Sequence, residues 1–534
     1  MEAALATERP VEPSSAHAWR PRHNPWAVAF TVTLATFMEI LDTSIANVSL
    51  PHIAGGLSTG VDESTWVLTS YLVANAVVLP MSGWISGYIG RKRFYMTCVI
   101  LFTLSSLMCG FAPSLATLIF FRILQGASGG GLQPSEQAIL ADTFEPEQFG
   151  MAFAIYGMAV VMAPAIGPTL GGYITDNFNW RWIFFINVPV GLLSVILTQR
   201  LVEDPPWIGE ERRRAGASYS VDYIGFALVA LAFGCLQVVL DKGQREDWFE
   251  SNFIIMFSIV SALSLLAFSI WEWKHKNPIV DIHLFTNRSF ATSVLMMFMV
   301  GVVLFGSTVL LPQYLQQLMR YTAQQAGEVL SPGGFVIMAM MPMVGVLVSR
   351  YDPRWLIAIG FATMGLAFTD MTFGLNLQID FKTAVFYRIY QSMGLAFLFV
   401  PINAIAYVGM AREKNNQISG IINLARNIGA SVGISMVTTI VARRTQTHQS
   451  RLIEHITPYG FGMGRLLAGP GSPINPAAPT QQSYGMLYGR VIEQAATKAF
   501  IDAVWAMAIV AFVMIPFAMM LRRAAPGTLR IGAH

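Results

Sequence analysis

The stretch "FRILQG" at residues 121–126 places an arginine and a glutamine one helical turn apart inside an otherwise apolar run, and "YRIYQS" at 387–392 does so again. The two arginines, Arg122 and Arg388, are 266 residues apart. A second pair of landmarks has nearly the same separation. "GWISGYIGRK" begins at Gly83 and "GVLVSRYDPR" at Gly345, 262 residues later, and each closes an apolar run with glycine and basic residues. Two independent landmarks sharing one offset indicate a duplicated chain that carries a cation in an apolar setting twice.

That setting is lipid. Of 534 residues, 54% are hydrophobic and 12% charged, with a mean hydropathy of +0.52; soluble chains carry roughly twice that charged fraction. About 20 apolar residues cross a hydrocarbon core as a helix rising about 1.5 Å per residue. Such runs are expected at 26–50, 65–87, 94–112, 115–140, 149–174, 181–201, 222–240 and 253–273. Six more are expected at 289–317, 324–349, 354–375, 383–408, 416–442 and 499–521. An even number returns both termini to one side. That side collects "GRKRF" (90–94), "ERRR" (211–214), "KHK" (274–276), Arg350, Arg354, Arg412, Lys414 and "LRR" (521–523). Roughly twenty Lys and Arg lie there against about five opposite, the bias that marks the cytoplasm.

The expected organisation is an all-α integral membrane protein of two six-helix bundles plus two inserted helices, about fourteen spans in total. Residues 1–25 form a cytoplasmic tail, 26–201 the first bundle, 202–288 a linker with the two extra helices, 289–521 the second bundle, and 522–534 a cytoplasmic tail. Within the second bundle, 443–498 is an external segment, read as an extension of the thirteenth helix, a Pro/Gly turn and a returning amphipathic stretch. It is either a tolerated loop or a docking site for an external partner. No cleavable signal peptide is evident before the first span.

Five further stretches, together with the first one quoted, carry a resemblance. "LDTSIANVSLP" (41–51), "FRILQG", "APAIGPTLGG" (163–172) and "NWRWIFFINVPVG" (179–191), with "LPQYLQ" (311–316) and "NLARNIG" (423–429), resemble the fourteen-helix drug:proton antiporters of the EmrB/QacA type. These belong to the major facilitator superfamily, whose parallel halves enclose a midplane substrate site. The resemblance implies that the chain exports amphipathic, often cationic compounds against protons across the bacterial cytoplasmic (inner) membrane, by alternating access. It implies no cofactor beyond the proton gradient, and in two-membrane bacteria a periplasmic adaptor and an outer-membrane channel. One departure is visible: the loop motif after the second span commonly carries an acid where this chain has Gly87, which weakens the gating assignment of that loop.

The buried charges are the candidate site, because an ionised group at the bilayer centre costs at least about 2.5–3.5 kcal/mol. Glu39 and Asp42 lie three apart, on one face of the first span. Asp42 matches Arg122 in depth, so the two are expected to pair, helped by Gln125. The pair either fixes helix register or acts as a protonation switch. Glu39, nearer the midplane and without an evident partner, is expected to be the proton carrier or cation site, since desolvation disfavours its charged form, with Asp42 the arginine-coupled switch; the two carboxylates can exchange these roles. Glu136 is either a boundary acid or a second proton site. Gln125, Gln313, Tyr314, Gln316, Asn423, Arg426 and Asn427 are candidates for the substrate cavity, with Arg426 lining it or held by carbonyls. Asp370 and Arg388 are expected to pair, and Glu328 to be solvated at a helix end.

Gating is assigned to Gly83, Gly90 and Arg91 in the loop motif, and to Pro164, Gly167, Pro168, Gly171 and Gly172. Prolines remove helix donors and bend the fifth span, and Gly167 with Gly171 lets backbones approach; a static kink is the alternative. Met and aromatic side chains supply adaptable packing. Cys98, Cys109 and Cys235 read as small core residues, and the eight histidines fall in tails and loops, leaving no metal set. No GxxxxGK[ST] loop is present, so no nucleotide site is expected, and nothing suggests nucleic acid. The rival readings are a dedicated exporter of one lipid, siderophore or metabolite, and, more remotely, a membrane-embedded transferase. The repeat and the lack of intramembrane histidines argue against an enzyme.

Overall fold

A computed structural model describes residues 21–145, 148–205, 222–275, 278–407, 410, 414–454 and 481–521. Fourteen helices among them are long and apolar enough to cross a membrane. We number them α1 (Pro25–Leu57), α2 (Trp66–Ile89), α3 (Arg91–Gly110), α4 (Leu115–Thr143), α5 (Phe149–Asn177), α6 (Trp182–Leu201) and α7 (Tyr223–Lys242). The remainder are α8 (Asn252–Lys274), α9 (Arg288–Gln317), α10 (Ala323–Arg350), α11 (Pro353–Gly374), α12 (Phe381–Ala406), α13 (Asn415–Glu454) and α14 (Gln481–Met519). The basic segments at 211–214 and 522–523, with Arg412 and Lys276, lie outside the described residues.

Helix is the only open structure that satisfies its own backbone in hydrocarbon, and the sequence marks where each one starts. Asn24 accepts from the Trp26 amide ahead of Pro25, and Asp352 repeats the arrangement ahead of Pro353. Ser114 with Thr117 and Thr322 with Gln325 form reciprocal caps, each satisfying donors that have no partner in the first turn. Between α2 and α3, Gly90 adopts φ 95°, a left-handed backbone that side chains disfavour. The turn it makes is held by Asp204, which accepts from the Lys92 amide at 2.8 Å.

Several helices exceed their expected spans. The first runs on to Leu57, which places His52 on a helix rather than in a loop. At 40 residues α13 is about 60 Å long at 1.5 Å per residue, twice the roughly 30 Å of a bilayer core, and it carries His448. With α14 it extends past the other helices on the side away from Pro25 and Met519. The paired extension is joined by Arg444 and His448, both on Asp502 at 2.6 and 2.8 Å, and by Gln449 on Tyr488 at 3.1 Å. Residues 455–480, including the Pro/Gly turn, lie outside the described residues.

The two repeats meet along two seams, α5 with α10 and α2 with α13. On the side where α1 begins, here the near side, both seams are backbone-tight. A Cβ on Gly150 would stand 2.3 Å from the Gly345 carbonyl oxygen, and one on Gly83 would stand 3.0 Å from the Gln417 nitrogen. The inserted α7–α8 hairpin lies against α2, where Lys242 donates to Thr65 at 2.6 Å, and Gln237 accepts from Ser431 of α13 at 2.9 Å. It therefore covers the α2–α13 seam from the lipid side. Overpacking a closed seam costs about 1–3 kcal/mol. Gly150→Leu is expected to lower the thermal midpoint in detergent. Gly489→Ala, in open space, should leave it unchanged or add up to about 1 kcal/mol through helix propensity. Equal melts of the two variants would contradict the α5–α10 contact.

Candidate functional site

Two polar layers stack inside the first repeat. In the outer one, Arg122 donates to Asp42 at 2.6 Å and to Gln125 at 2.8 Å, and its Nε donates to the Val67 carbonyl at 3.1 Å. Gln125 returns its amide to Asp42 at 3.1 Å, and Asn187 donates to the same carboxylate at 2.6 Å. Arg122 also sits 4.3 Å over the Tyr71 ring. Every member of this cluster is buried. The spacing of "FRILQG" thus has a local cause: Arg122 and Gln125 share one face toward Asp42, and Gly126 lets α4 reach the backbone of Tyr71, 2.2 Å from where a Cβ would stand. Asn187 explains the polar residue inside "WRWIFFINVP"; its amide ties α6 to the carboxylate of α1.

The second layer holds Glu39, 3% exposed. The sequence offered it no evident partner, and the structure supplies three. Tyr71 donates at 2.9 Å, Asn75 at 3.4 Å and Gln133 at 2.5 Å. All three donors are neutral, so Glu39 has no cation bonded to it and can change charge without depriving an arginine of its counter-ion. Glu136 is also fully buried. One oxygen accepts from Thr33 at 2.6 Å, and the other accepts no hydrogen bond among the described residues. Such surroundings are not those of a boundary acid.

From this layer polar contacts cross to the second repeat. Arg426 of α13 donates to Gln133 and, at 2.8 Å, to Tyr156. Asn423 meets Tyr156 at 3.0 Å and Gln137 at 3.0 Å, and Asn427 donates to Asn75 at 3.2 Å. Arg426 is therefore held by side chains of the opposite repeat, not by backbone carbonyls. Toward the near side the seam continues through Asn416 on Ser86 at 2.7 Å, Ser419 on the Pro134 carbonyl at 2.8 Å, and Asn415 on Asp142 at 3.0 Å. Asp142 also pairs with Arg91. This acid at the end of α4 gives Arg91 a carboxylate although the loop position itself is Gly87.

Several expectations are corrected by the packing. Gly167 and Gly171 face α1, against Ser44 and Ile45, so the small-residue face lies within the first repeat and not on the seam between repeats. Gly172 faces α10 across a looser gap, with the Gln324 nitrogen 3.8 Å from a notional Cβ. Ser44 reaches the Pro164 carbonyl at 3.4 Å, an acceptor beside the two prolines of α5. Pro168 lies four residues on, within the same helix. Tyr314 turns into the second repeat, donating to the Asn376 carbonyl at 2.7 Å and packing edge-on against Phe500. Its neighbours Gln313 and Gln316 are half-buried and exposed.

Asp370 is exposed and does not pair with Arg388, which is 2% exposed and bonds only Gln391, at 2.9 Å, among the described residues. One reason is register: Asp370 points outward from α11 while Arg388 points inward. Glu328 is exposed and accepts from Gln324 one turn away. Cys98, Cys109 and Cys235 are buried free thiols. Tyr71, Asn75, Gln133, Gln137, Asp142, Tyr156 and Asn187 were not singled out from sequence. Polar residues inside apolar runs were the available signal for the amides; the tyrosines gave none.

A family model described as Major Facilitator Superfamily matches residues 32–434. The chain is 38% identical over 432 residues to the multidrug export protein EmrB of Haemophilus influenzae, covering 81% of this chain and 83% of that protein. It is 36% identical to the fatty acid resistance protein FarB of Neisseria gonorrhoeae, over 81% and 84% respectively. Among solved structures, the proton:xylose symporter XylE shares the fold with a TM-score of 0.57 at 12% identity, covering 95% of this chain and 97% of XylE. With the matched model, fourteen apolar helices and two seamed repeats, the chain is a membrane transporter, not an enzyme, and belongs to the major facilitator superfamily on its EmrB-like branch.

Proposed function

We propose that this transporter exports amphipathic, predominantly cationic compounds across the cytoplasmic membrane in exchange for protons, by rocking its two repeats about the buried polar layers. The observation that carries the reading is the contrast between the two carboxylates of α1. Asp42 is locked to Arg122, Gln125 and Asn187, whereas Glu39 is held by neutral donors alone. Glu39 is then the proton carrier and cation site, Asp42 fixes the bundle around it, and Glu136 is a second proton site on the near side. Gln125 belongs to the Asp42 cluster rather than to the cavity, while Gln313, Gln316, Asn423, Arg426 and Asn427 remain the candidates for contact with cargo.

The near side is read as cytoplasmic from the excess of Lys and Arg, so both termini are cytoplasmic and the closed near seams describe a state closed to the cytoplasm. Gly83, Gly90 and Arg91, with Asp142 and Asn415, act as the inner gate. The projecting α13–α14 pair is the surface for a periplasmic adaptor leading to an outer-membrane channel. One proton crossing about 100 mV supplies about 2.3 kcal/mol, and a unit of pH adds about 1.4. Together they sustain a gradient of several hundredfold for a neutral cargo, on the order of 3.7 kcal/mol.

A second reading has its own support. Arg388 repeats the position of Arg122 but has no carboxylate bonded to it among the described residues, and a buried cation lacking a counter-charge is costly. An anionic amphiphile would supply one, and one relative is named a fatty acid resistance protein.

Two sets of variants test these readings. Glu39→Gln keeps size and hydrogen bonding and is expected to fold normally while abolishing proton-driven export from everted vesicles. Asp42→Asn leaves Arg122 buried without its partner, at about 3–5 kcal/mol, and should lose thermal stability as well as export. Full export by both variants would end the assignment. Arg388→Gln is expected to spare cationic dyes and reduce export of long-chain carboxylates at least about tenfold, the factor given by about 1.4 kcal/mol; equal effects on both cargo classes would remove the second reading.

A further inference from the structure

An exchanger must not reorient when empty, because an empty return lets cargo equilibrate without moving protons. A titratable carboxylate does not by itself prevent this; something must make the mobile seam depend on its charge. The second polar layer contains such a connection. Gln133 donates its amide to Glu39 at 2.5 Å and accepts from Arg426 through its carbonyl oxygen. Asn75 has the same polarity, donating to Glu39 at 3.4 Å and accepting from Asn427 at 3.2 Å. Two side-chain amides therefore run in parallel from one carboxylate of the first repeat to two neighbouring residues of α13 in the second. Gln133, Asn75 and Arg426 are 5%, 4% and 2% exposed, so no water competes for these bonds in quantity.

An amide is directional: its nitrogen needs an acceptor and its oxygen a donor. An ionised Glu39 fixes both amides with their oxygens turned toward α13, and hydrogen bonds to a charged group are the stronger kind. Other charges around Glu39 are engaged elsewhere. Asp42 is committed to Arg122, Gln125 and Asn187, and Glu136 bonds Thr33. Tyr71 donates to Glu39 itself, and Tyr156 receives Arg426 while reaching Asn423.

We propose that Gln133 and Asn75 are positioning residues that form a charge-sensing latch, holding α13 against the first repeat while Glu39 is ionised and empty. A proton or a cationic cargo on Glu39 removes the charge that orients the amides, loosens Arg426 and Asn427, and permits the seam to open. Both loaded forms can then reorient and the unloaded form cannot. This inference rests on the proposed role of Glu39 and adds the residues that enforce exchange.

The test is the number of protons moved per cargo molecule, measured in reconstituted vesicles with an internal pH dye and a fluorescent cationic drug flowing downhill. Gln133→Leu and Asn75→Leu are expected to retain downhill drug flux while the proton-to-drug ratio falls about tenfold, within the usual range of coupling energies. Gln133→Asn, which keeps an amide, should recover part of the ratio. A merely structural role would lower flux and leave the ratio alone. An unchanged ratio in both variants, with coupling lost in Glu39→Gln, overturns the latch; so does loss of all downhill flux in both. An unchanged ratio in Glu39→Gln instead overturns the role of Glu39 on which the latch depends.

Discussion

An ionised side chain placed between helices in hydrocarbon must find its partners inside the protein, and the Asp42–Arg122 contact is where this chain meets that demand most fully. Six helices would have little reason to adopt one arrangement if apolar packing alone held them, because lipid tails are as apolar as leucine. The buried pair supplies the reason. Arg122 comes from α4, Asp42 from α1, Asn187 from α6, and the carbonyl that receives Arg122 from α2. Four helices are thereby fixed around one charge, and Gly167 and Gly171 bring α5 against the same stretch of α1. Glu39 sits one turn away on that fixed scaffold, so its geometry is set by residues that need not move when it changes charge.

The second repeat uses the same arginine differently. Arg388 and Gln391 preserve the spacing of Arg122 and Gln125, yet α9 contributes no acid beside them. Among the described residues, the buried carboxylates of the two bundles all lie in the first, at Glu39, Asp42, Glu136 and Asp142. What the second copy contributes to the shared layer is a different cation, Arg426, on the helix that borders the seam. The polar chemistry at midplane is consequently asymmetric: acids on one side, an arginine and asparagines on the other, and amides between them.

Much of this was legible in the sequence. Length and hydropathy locate spans because the bilayer imposes one thickness on every helix, and each of the fourteen expected runs overlaps a helix of the structure. Depth along a helix also gave the partnership of Asp42 with Arg122. Depth does not give azimuth, however. Asp370 and Arg388 match in depth and still point apart, and Tyr314 faces the bundle interior although it lies between two glutamines. The partners of Glu39 were hidden for the same reason. Gln133 and Asn75 are ordinary amides in sequence, and only the crossing of α1, α2, α4 and α13 brings them to one carboxylate. Glycines carry the converse lesson: Gly150 and Gly345 are unremarkable in a chain with 45 of them, yet their backbones touch across the seam.

If buried carboxylates exchange a proton for cargo, binding of a cationic drug to the purified protein must expel that proton before any transport occurs. Addition of drug to detergent-solubilised protein in weakly buffered solution, followed with a pH dye, measures this directly. The account predicts stoichiometric proton release that saturates with drug and disappears in Glu39→Gln. Drug binding of normal affinity with no proton released, or release that persists undiminished without Glu39, would contradict it.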